Sequence, residues 1–194
     1  MAAFERALRI AAEDGLAMVH PFEDRGVIAG AGTVGLELTE QIADLDAVVV
    51  PIGGGGLIAG VAIAIKETEP RIRVFGVEPR GAAAMHESLA AGHPVRLAQP
   101  PRTIADGLAA PMAGEATYAV TKKYVDDVVL LEDDVIADAM RFIITRTKLL
   151  VEPAGAAAFA ALRSGAIPGL KDMNVAVILS GGNVDLARLA PTRQ

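Results

Sequence analysis

The sequence predicts an α/β protein with an open, mainly parallel sheet and helices on both faces. Three observations carry that prediction. Strand-like runs alternate with helical patterns along the chain. The runs Val48-Val49-Val50 and Val175-Ala176-Val177-Ile178-Leu179 are apolar at every position, as central strands covered on both faces must be. Each run leads into a glycine-rich turn, at the end of the strand where open α/β sheets hold their ligands.

Taken in order, residues 1–13 pattern as an amphipathic helix, with Phe4, Leu8 and Ala11 opposite Glu5, Arg6, Arg9 and Glu13. Strand-like runs follow at residues 17–20, 46–52, 73–78, 127–132 and 174–180. Helical patterns occupy residues 33–43, 57–67, 81–91, 114–124, 133–149 and 154–163. Residues 93–106 carry three prolines and little periodicity, which reads as an ordered surface loop. The chain enters its sheet without a preceding strand, as the middle of a longer protein would.

Composition narrows the function classes. With 194 residues, 52% of them apolar, the chain can bury one substantial core. The absence of cysteine excludes disulfides and thiol catalysis and suits a cytoplasmic location. A net charge of −6 and seven scattered aromatics exclude a nucleic-acid surface, which needs a basic stripe. The first residues mix acids and bases and lack a signal-peptide core. Residues 47–65 are uncharged and reach the length of a membrane span, but Pro51 and four consecutive glycines fall within them. Each glycine costs a helix interior about 1 kcal/mol, so no membrane span is expected.

The most informative stretch runs from Val48 through Pro51, Gly53, Gly54, Gly55 and Gly56 to Leu57. Without Cβ atoms the backbone can turn sharply and aim several N–H groups at one small anion. The following helix points its N-terminus at the same place. Its dipole contributes about 0.3–1 kcal/mol, while each hydrogen bond to a charged group contributes about 1.5–3 kcal/mol. The N–H cluster dominates, and the stretch reads as a phosphate cup. Two alternatives compete: a tight turn without a ligand, and a dinucleotide site built on Gly54, Gly56, Ala59 and a ribose-binding Glu78.

Ser180-Gly181-Gly182-Asn183 follows the second apolar run, where the serine hydroxyl could bond a ring nitrogen or merely its own backbone. Glu152-Pro153 opens a helix, so Glu152 is either a site acid or a complement to the helix dipole. Asp106-Gly107 and Gly30-Ala31-Gly32-Thr33 are weak singly, each a possible turn or helix cap.

In combination these pieces resemble the threonine/serine dehydratases, fold-type II pyridoxal-phosphate enzymes that include serine racemase. The elements that carry the resemblance are Val19-His20-Pro21-Phe22, Gly30-x-Gly32-Thr33, the tetraglycine loop, Val77-Glu78-Pro79, Thr103-Ile104-Ala105-Asp106-Gly107, Val151-Glu152-Pro153-Ala154-Gly155 and Leu179-Ser180-Gly181-Gly182-Asn183-Val184-Asp185. They span nearly the whole chain and account for Ser180 and Glu152, which the dinucleotide reading leaves unexplained. The resemblance implies pyridoxal 5'-phosphate as cofactor, its phosphate on Gly53, Gly54, Gly55, Gly56 and Leu57, and its pyridine nitrogen at Ser180. It also implies that Gly107 and Glu152 lie beside the ring.

The chain departs from the family in one main respect. The family's Schiff-base lysine stands in a Ser-x-Lys-x-Arg-Gly element, and none of Lys66, Lys122, Lys123, Lys148 or Lys171 has that context. Their sequence settings predict solvated surface charges, so no catalytic residue is assigned. The resemblance divides the chain into residues 1–16, the last helix of a small domain, and residues 17–194, an incomplete large cofactor-binding domain. Ala31 stands where the family usually has glutamine. Some relatives bind a divalent cation through the Val-Glu-Pro acid and a second acid nearby, but Ala82, Ala83 and Ala84 offer none beside Glu78. No metal is expected. His20 reads as a cap on the first strand, and His86 and His93 as surface residues.

The implied activity of the complete enzyme is elimination of the β-hydroxyl of L-threonine or L-serine, giving a 2-oxo acid and ammonia, in a homo-oligomer. A non-catalytic fragment or half of a split enzyme, a serine racemase-like activity and a nicotinamide-dependent dehydrogenase are the alternatives. The isolated chain, lacking the lysine, is expected to be inactive.

Overall fold

The computed structural model describes residues 2–185. Met1 of the expected first helix and residues 186–194 of the expected large domain lie outside the described residues. Seven helices and four strands are described, in the order α1 (Ala2–Asp14), α2 (Arg25–Gln41), β1 (Ala47–Pro51), α3 (Gly56–Thr68), β2 (Arg73–Pro79), α4 (Ala84–Ala91), α5 (Glu115–Tyr124), β3 (Asp127–Leu131), α6 (Asp133–Thr147), α7 (Pro153–Ser164) and β4 (Val175–Val177). The sheet is parallel throughout, with strand order β3-β2-β1-β4.

Strand β1 is buried at every position, and its alternating side chains serve two cores. Ala47 and Val49 join Ala157, Ala158 and Ala161 of α7 on one face. Val48 and Val50 join Ile58, Val61 and Ile65 of α3 on the other. Each Val, Leu or Ile so buried contributes roughly 1.5–3 kcal/mol. Helix α7 is built largely of alanine and lies close against the sheet, whereas α6 lies outside it and packs Ile143 and Met140 on Ala156. The expected α/β architecture with helices on both faces is present.

Several expectations at the level of elements need correction. Residues 17–20 form no strand; Ala17, Met18 and Val19 are exposed and pair with no neighbour. The segment spans from α1 to α2 without reaching a sheet edge, so its backbone has no ladder to join. His20 accordingly caps a turn, not a strand, its Nδ1 accepting the N–H of Glu23 at 3.0 Å. Helix α2 starts at Arg25, eight residues before the expected 33, because Asp24 N-caps it through the N–H groups of Gly26 and Val27. Finally, the apolar run at 174–180 yields the short strand β4 at the sheet's edge, half-buried and not central.

The expected helix at 81–91 is divided into a 3₁₀ turn, Arg80–Ala82, and α4. On α1 the half-buried side chains are Phe4, Ala7, Ile10 and Ala11, while Leu8, expected on that face, is 44% exposed.

Gly32 and Gly35 of α2 are neither turn nor cap; they set the distance to α3, a Cβ on Gly35 meeting the Val61 carbonyl oxygen at 2.8 Å. A Cβ on Gly60 would stand 2.2 Å from the Ile28 carbonyl oxygen and 2.7 Å from the Ala31 Cβ. Ala31 therefore lies in the helix contact itself. By contrast, a Cβ on Gly30 meets nothing within 4 Å. Gly60→Ala should destabilise the protein by about 1–3 kcal/mol, the cost of overpacking, despite a helix-propensity gain of about 1 kcal/mol. Gly30→Ala should stabilise it by about 0.5–1 kcal/mol. Urea denaturation midpoints moving in opposite directions are the expected result.

Candidate cofactor site

Strands β1 and β4 are neighbours in parallel register, so the loops after them emerge side by side. A cavity of about 270 Å³ lies there, lined by Pro21, Phe22, Pro51, Gly53, Gly54, Gly55, Gly56, Leu57, Gly107, Leu108 and Ser180. Seven of the eight residues singled out in the sequence line it. Glu152, the eighth, lies behind the lining, its Oε1 against Gly107 and Gly181. A larger, almost wholly apolar groove of about 560 Å³ runs along α2, α3 and α5. It lacks the convergent polar groups that fix a ligand's orientation, so chemistry and not size selects the smaller cavity.

The tetraglycine loop is held from several sides. At its start, Ile52 donates to the Val77 carbonyl at 2.8 Å, extending the β1–β2 ladder by one residue. Gly55 has φ +95°, the left-handed region that favours glycine, and is the N-cap of α3. Its carbonyl accepts from Ala59 at 2.9 Å. The first-turn N–H groups of α3 have no intrahelical acceptors. Among the described residues, none of the N–H groups of residues 53–57 donates to another part of the chain. Two side chains press on the loop, the Phe22 ring where Gly54 has no Cβ, and the Met85 methyl where Gly55 has none.

The other walls follow from equally local causes. Asp133, at the start of α6, accepts from the Thr103 hydroxyl at 2.6 Å and the Ile104 N–H at 2.9 Å. This ties down the segment leading to the 3₁₀ turn Asp106–Leu108, which carries Gly107. Ser180 is exposed at the cavity. Its neighbour Gly181 accepts the Glu152 N–H at 3.1 Å, which seats the Ser180 loop on the start of α7. Glu152 is the N-cap residue of α7 but makes no side-chain cap hydrogen bond.

The lysines are elsewhere. None of the five lines the cavity. Lys66, expected to be a solvated charge, is only 16% exposed and pairs with Asp126 at 2.8 Å. Lys123 bonds the Tyr124 hydroxyl, Lys148 the Thr145 carbonyl, and Lys122 lies over the Tyr118 ring. His86 and His93 are exposed, as expected.

Glu78 is wholly buried. Its two carboxyl oxygens accept the N–H groups of Met85 and His86, both at 2.8 Å, and so hold the first turn of α4. It does not line the cavity at the tetraglycine loop, and both its oxygens are taken by backbone N–H groups, so it does not serve as the ribose-binding acid that a dinucleotide reading needs. Among the described residues no group of three His, Cys, Asp or Glu side chains is placed to hold a metal ion. Burial pushes the Glu78 carboxyl from 4.5 up to about 7; the two N–H bonds oppose the shift and nearby Glu87 adds to it.

Sequence reasoning missed three residues of the site. Phe22 was quoted only as part of a resemblance, and Glu23 and Thr117 carried no signal. Glu23 accepts the N–H groups of Ala116 and Thr117, both at 3.2 Å, capping α5 from a segment more than ninety residues away. Thr117 donates its hydroxyl to the Gly54 carbonyl at 2.7 Å. Both links are long-range, and neither follows a spacing rule.

Parallel strands, an amide cradle and a hydroxyl in one cavity define the class: an α/β protein with a polar site at the carboxyl ends of its strands. The family model "Pyridoxal-phosphate dependent enzyme" matches residues 1–181. The chain belongs to that family. It is 44% identical over 184 residues to L-threonine ammonia-lyase of Thermotoga maritima, covering 95% of this chain and 45% of that protein. It is 45% identical over 189 residues to serine racemase of Arabidopsis thaliana, covering 95% of this chain and 56% of that protein. The solved structure of the processed form of threonine deaminase isoform 2 from Solanum lycopersicum superposes with a TM-score of 0.87 at 40% identity, over 94% of this chain and 53% of that one. The chain thus spans about half the length of the curated relatives it matches. Among the described residues no helix is long and apolar enough to cross a membrane.

The buried acid generates a pH prediction. Between about pH 4.5 and 7 the folded chain retains a proton on Glu78 that the unfolded chain has released. The stability this confers is complete below pH 4.5 and is lost as pH rises through 7. Relative to Glu78→Gln, the natural chain should therefore lose about 1–3 kcal/mol of unfolding free energy between about pH 5 and 8. Urea melts of the two chains across that range check it; parallel pH profiles would contradict it.

Proposed function

We propose that this chain is the cofactor-holding part of a pyridoxal-phosphate-dependent ammonia-lyase that removes the hydroxyl and amino groups of L-threonine or L-serine. The observation that carries the reading is the single cavity shared by the tetraglycine cradle, Gly107 and the Ser180 hydroxyl. The names of the relatives point to the same chemistry. Pyridoxal phosphate, when bound, supplies an electron sink for β-elimination.

In this reading the free N–H groups of residues 53–57 and the N-terminus of α3 hold the phosphate. Ser180 meets the ring nitrogen with a neutral hydroxyl, which has no charge with which to keep that nitrogen protonated. Phe22 and Leu108 line the cavity with apolar surface. Glu152 supports Gly107 and the Ser180 loop from behind. No lysine of this chain reaches the cavity, so the amine that binds the cofactor and moves the substrate proton comes from the length of the relatives that this chain does not span. Residues 1–16 read as the end of that separate small domain, a reading supported by α1, of which no described side chain is buried. The complete enzyme reads as a cytoplasmic homo-oligomer.

Pyridoxamine phosphate tests the site without reacting with surface lysines, because it carries no aldehyde. Titrated into the nitrogen-15-labelled chain, it should shift the amide resonances of residues 53–57 and 180. Gly54→Val should abolish binding, since its side chain would drive into the Phe22 ring and the cradle. Shifts confined to other regions, or equal binding by the variant, would overturn the reading. With L-threonine and pyridoxal phosphate, the chain alone should release no 2-oxo acid in a coupled lactate dehydrogenase assay.

A further inference from the structure

We propose that Thr117, a buried residue of α5 outside the cavity, is the positioning residue that aims the Gly55 amide at the bound anion. The proposal deepens the reading of residues 53–57 as a phosphate cradle and rests on it. Thr117 is wholly buried, and its hydroxyl lies 2.7 Å from the Gly54 carbonyl oxygen and 3.3 Å from the Gly114 carbonyl oxygen. A hydroxyl has one proton to give, and the shorter contact takes it. A helix-interior threonine ordinarily turns back to a carbonyl three or four residues earlier, as Thr145 and Thr147 do here. Thr117 spends its proton outside its own helix.

The consequence follows from peptide geometry. The Gly54–Gly55 peptide is trans, so its C=O and N–H point in opposite directions. With the carbonyl held toward α5, the Gly55 N–H points away from Thr117, which does not line the cavity, and toward the space that Gly55 does line. Gly55 at φ +95° has the freedom to let that peptide plane flip; the Thr117 bond selects one orientation. The anchor is itself anchored. The Thr117 N–H is held by Glu23, whose neighbour Phe22 packs against the same loop at Gly54 and Gly56. One short segment, Phe22 to Glu23, therefore contacts both the loop and its tether.

The test uses the 194-residue chain labelled with nitrogen-15 and carbon-13, and inorganic phosphate as probe. Thr117→Val keeps the shape and removes the donor; Thr117→Ser restores the donor. In the absence of any ligand, Thr117→Val should displace the Gly54 carbonyl and Gly55 amide resonances, and Thr117→Ser should leave them near their natural positions. Phosphate affinity should fall about tenfold in Thr117→Val, equivalent to about 1.4 kcal/mol, and stay within about twofold in Thr117→Ser. Should Thr117→Val fail to fold, Thr117→Ala provides the same two readouts without a new methyl at the loop. Unmoved Gly54 and Gly55 resonances in the donor-less variant would overturn the proposal, whatever the phosphate result. Displaced resonances with unchanged phosphate affinity would overturn it as well. If the natural chain shows no phosphate response at residues 53–57, the cradle reading itself falls, and this inference with it.

Discussion

Burial of β1 on both faces is the constraint on which the rest of this structure depends. A parallel strand with no solvated face needs a helix layer on each side, and the chain provides them in α3 and α7. Parallel pairing in turn sends every strand's carboxyl end to the same edge of the sheet. The tetraglycine loop after β1 and the Ser180 loop after β4 then meet without any further instruction. The site is thus a by-product of strand direction, and its chemistry lies in the residues that the turns happen to present.

Close approach is the second theme. Helix α3 lies against α2 at a separation that only a residue without Cβ permits at Gly60. It starts at Gly55, beneath a backbone that Met85 and Thr117 both touch. Glu78 fixes α4, and α4 carries Met85; Glu23 fixes α5, and α5 carries Thr117. Two carboxylates distant in sequence therefore set the two supports under one loop. Glu78 does this at a cost, because it is buried, with no cationic partner among the described residues, and burial raises its pKa to about 7.

The cradle and the lysines divide the chemistry cleanly. Residues 53–57 present backbone N–H groups and Ser180 a neutral hydroxyl to one cavity, and none of the five lysines lines it. In the proposed function, binding and proton transfer fall to different stretches of polypeptide. This matches a chain that spans about half the length of its relatives.

Much of this was readable from residues alone. The fully apolar run Val48-Val49-Val50 specified a strand buried on both faces, because no other placement hides consecutive valines. Glycines directly after a strand specified a backbone free to present its amides, and the adjacent apolar helix pattern placed a helix N-terminus there. The same local logic located the turn carrying Ser180, whereas Gly107 was singled out only by the family resemblance. Short-range signals did not always suffice, since the Asp24 cap that starts α2 eight residues early was not read from the sequence. Tertiary structure alone decided the remainder. Residues 17–20 have strand composition, but a strand exists only where a partner edge is free to bond it. Gly32 reads as a possible turn or cap, yet it and Gly60 are contact points, because the proximity of two helices is not written in either one. Glu23, Phe22 and Thr117 acquire roles only when α5 and the segment before α2 arrive at the same loop. Hydrogen bonds between residues more than sixty positions apart leave no spacing to detect, and only the folded chain reveals them.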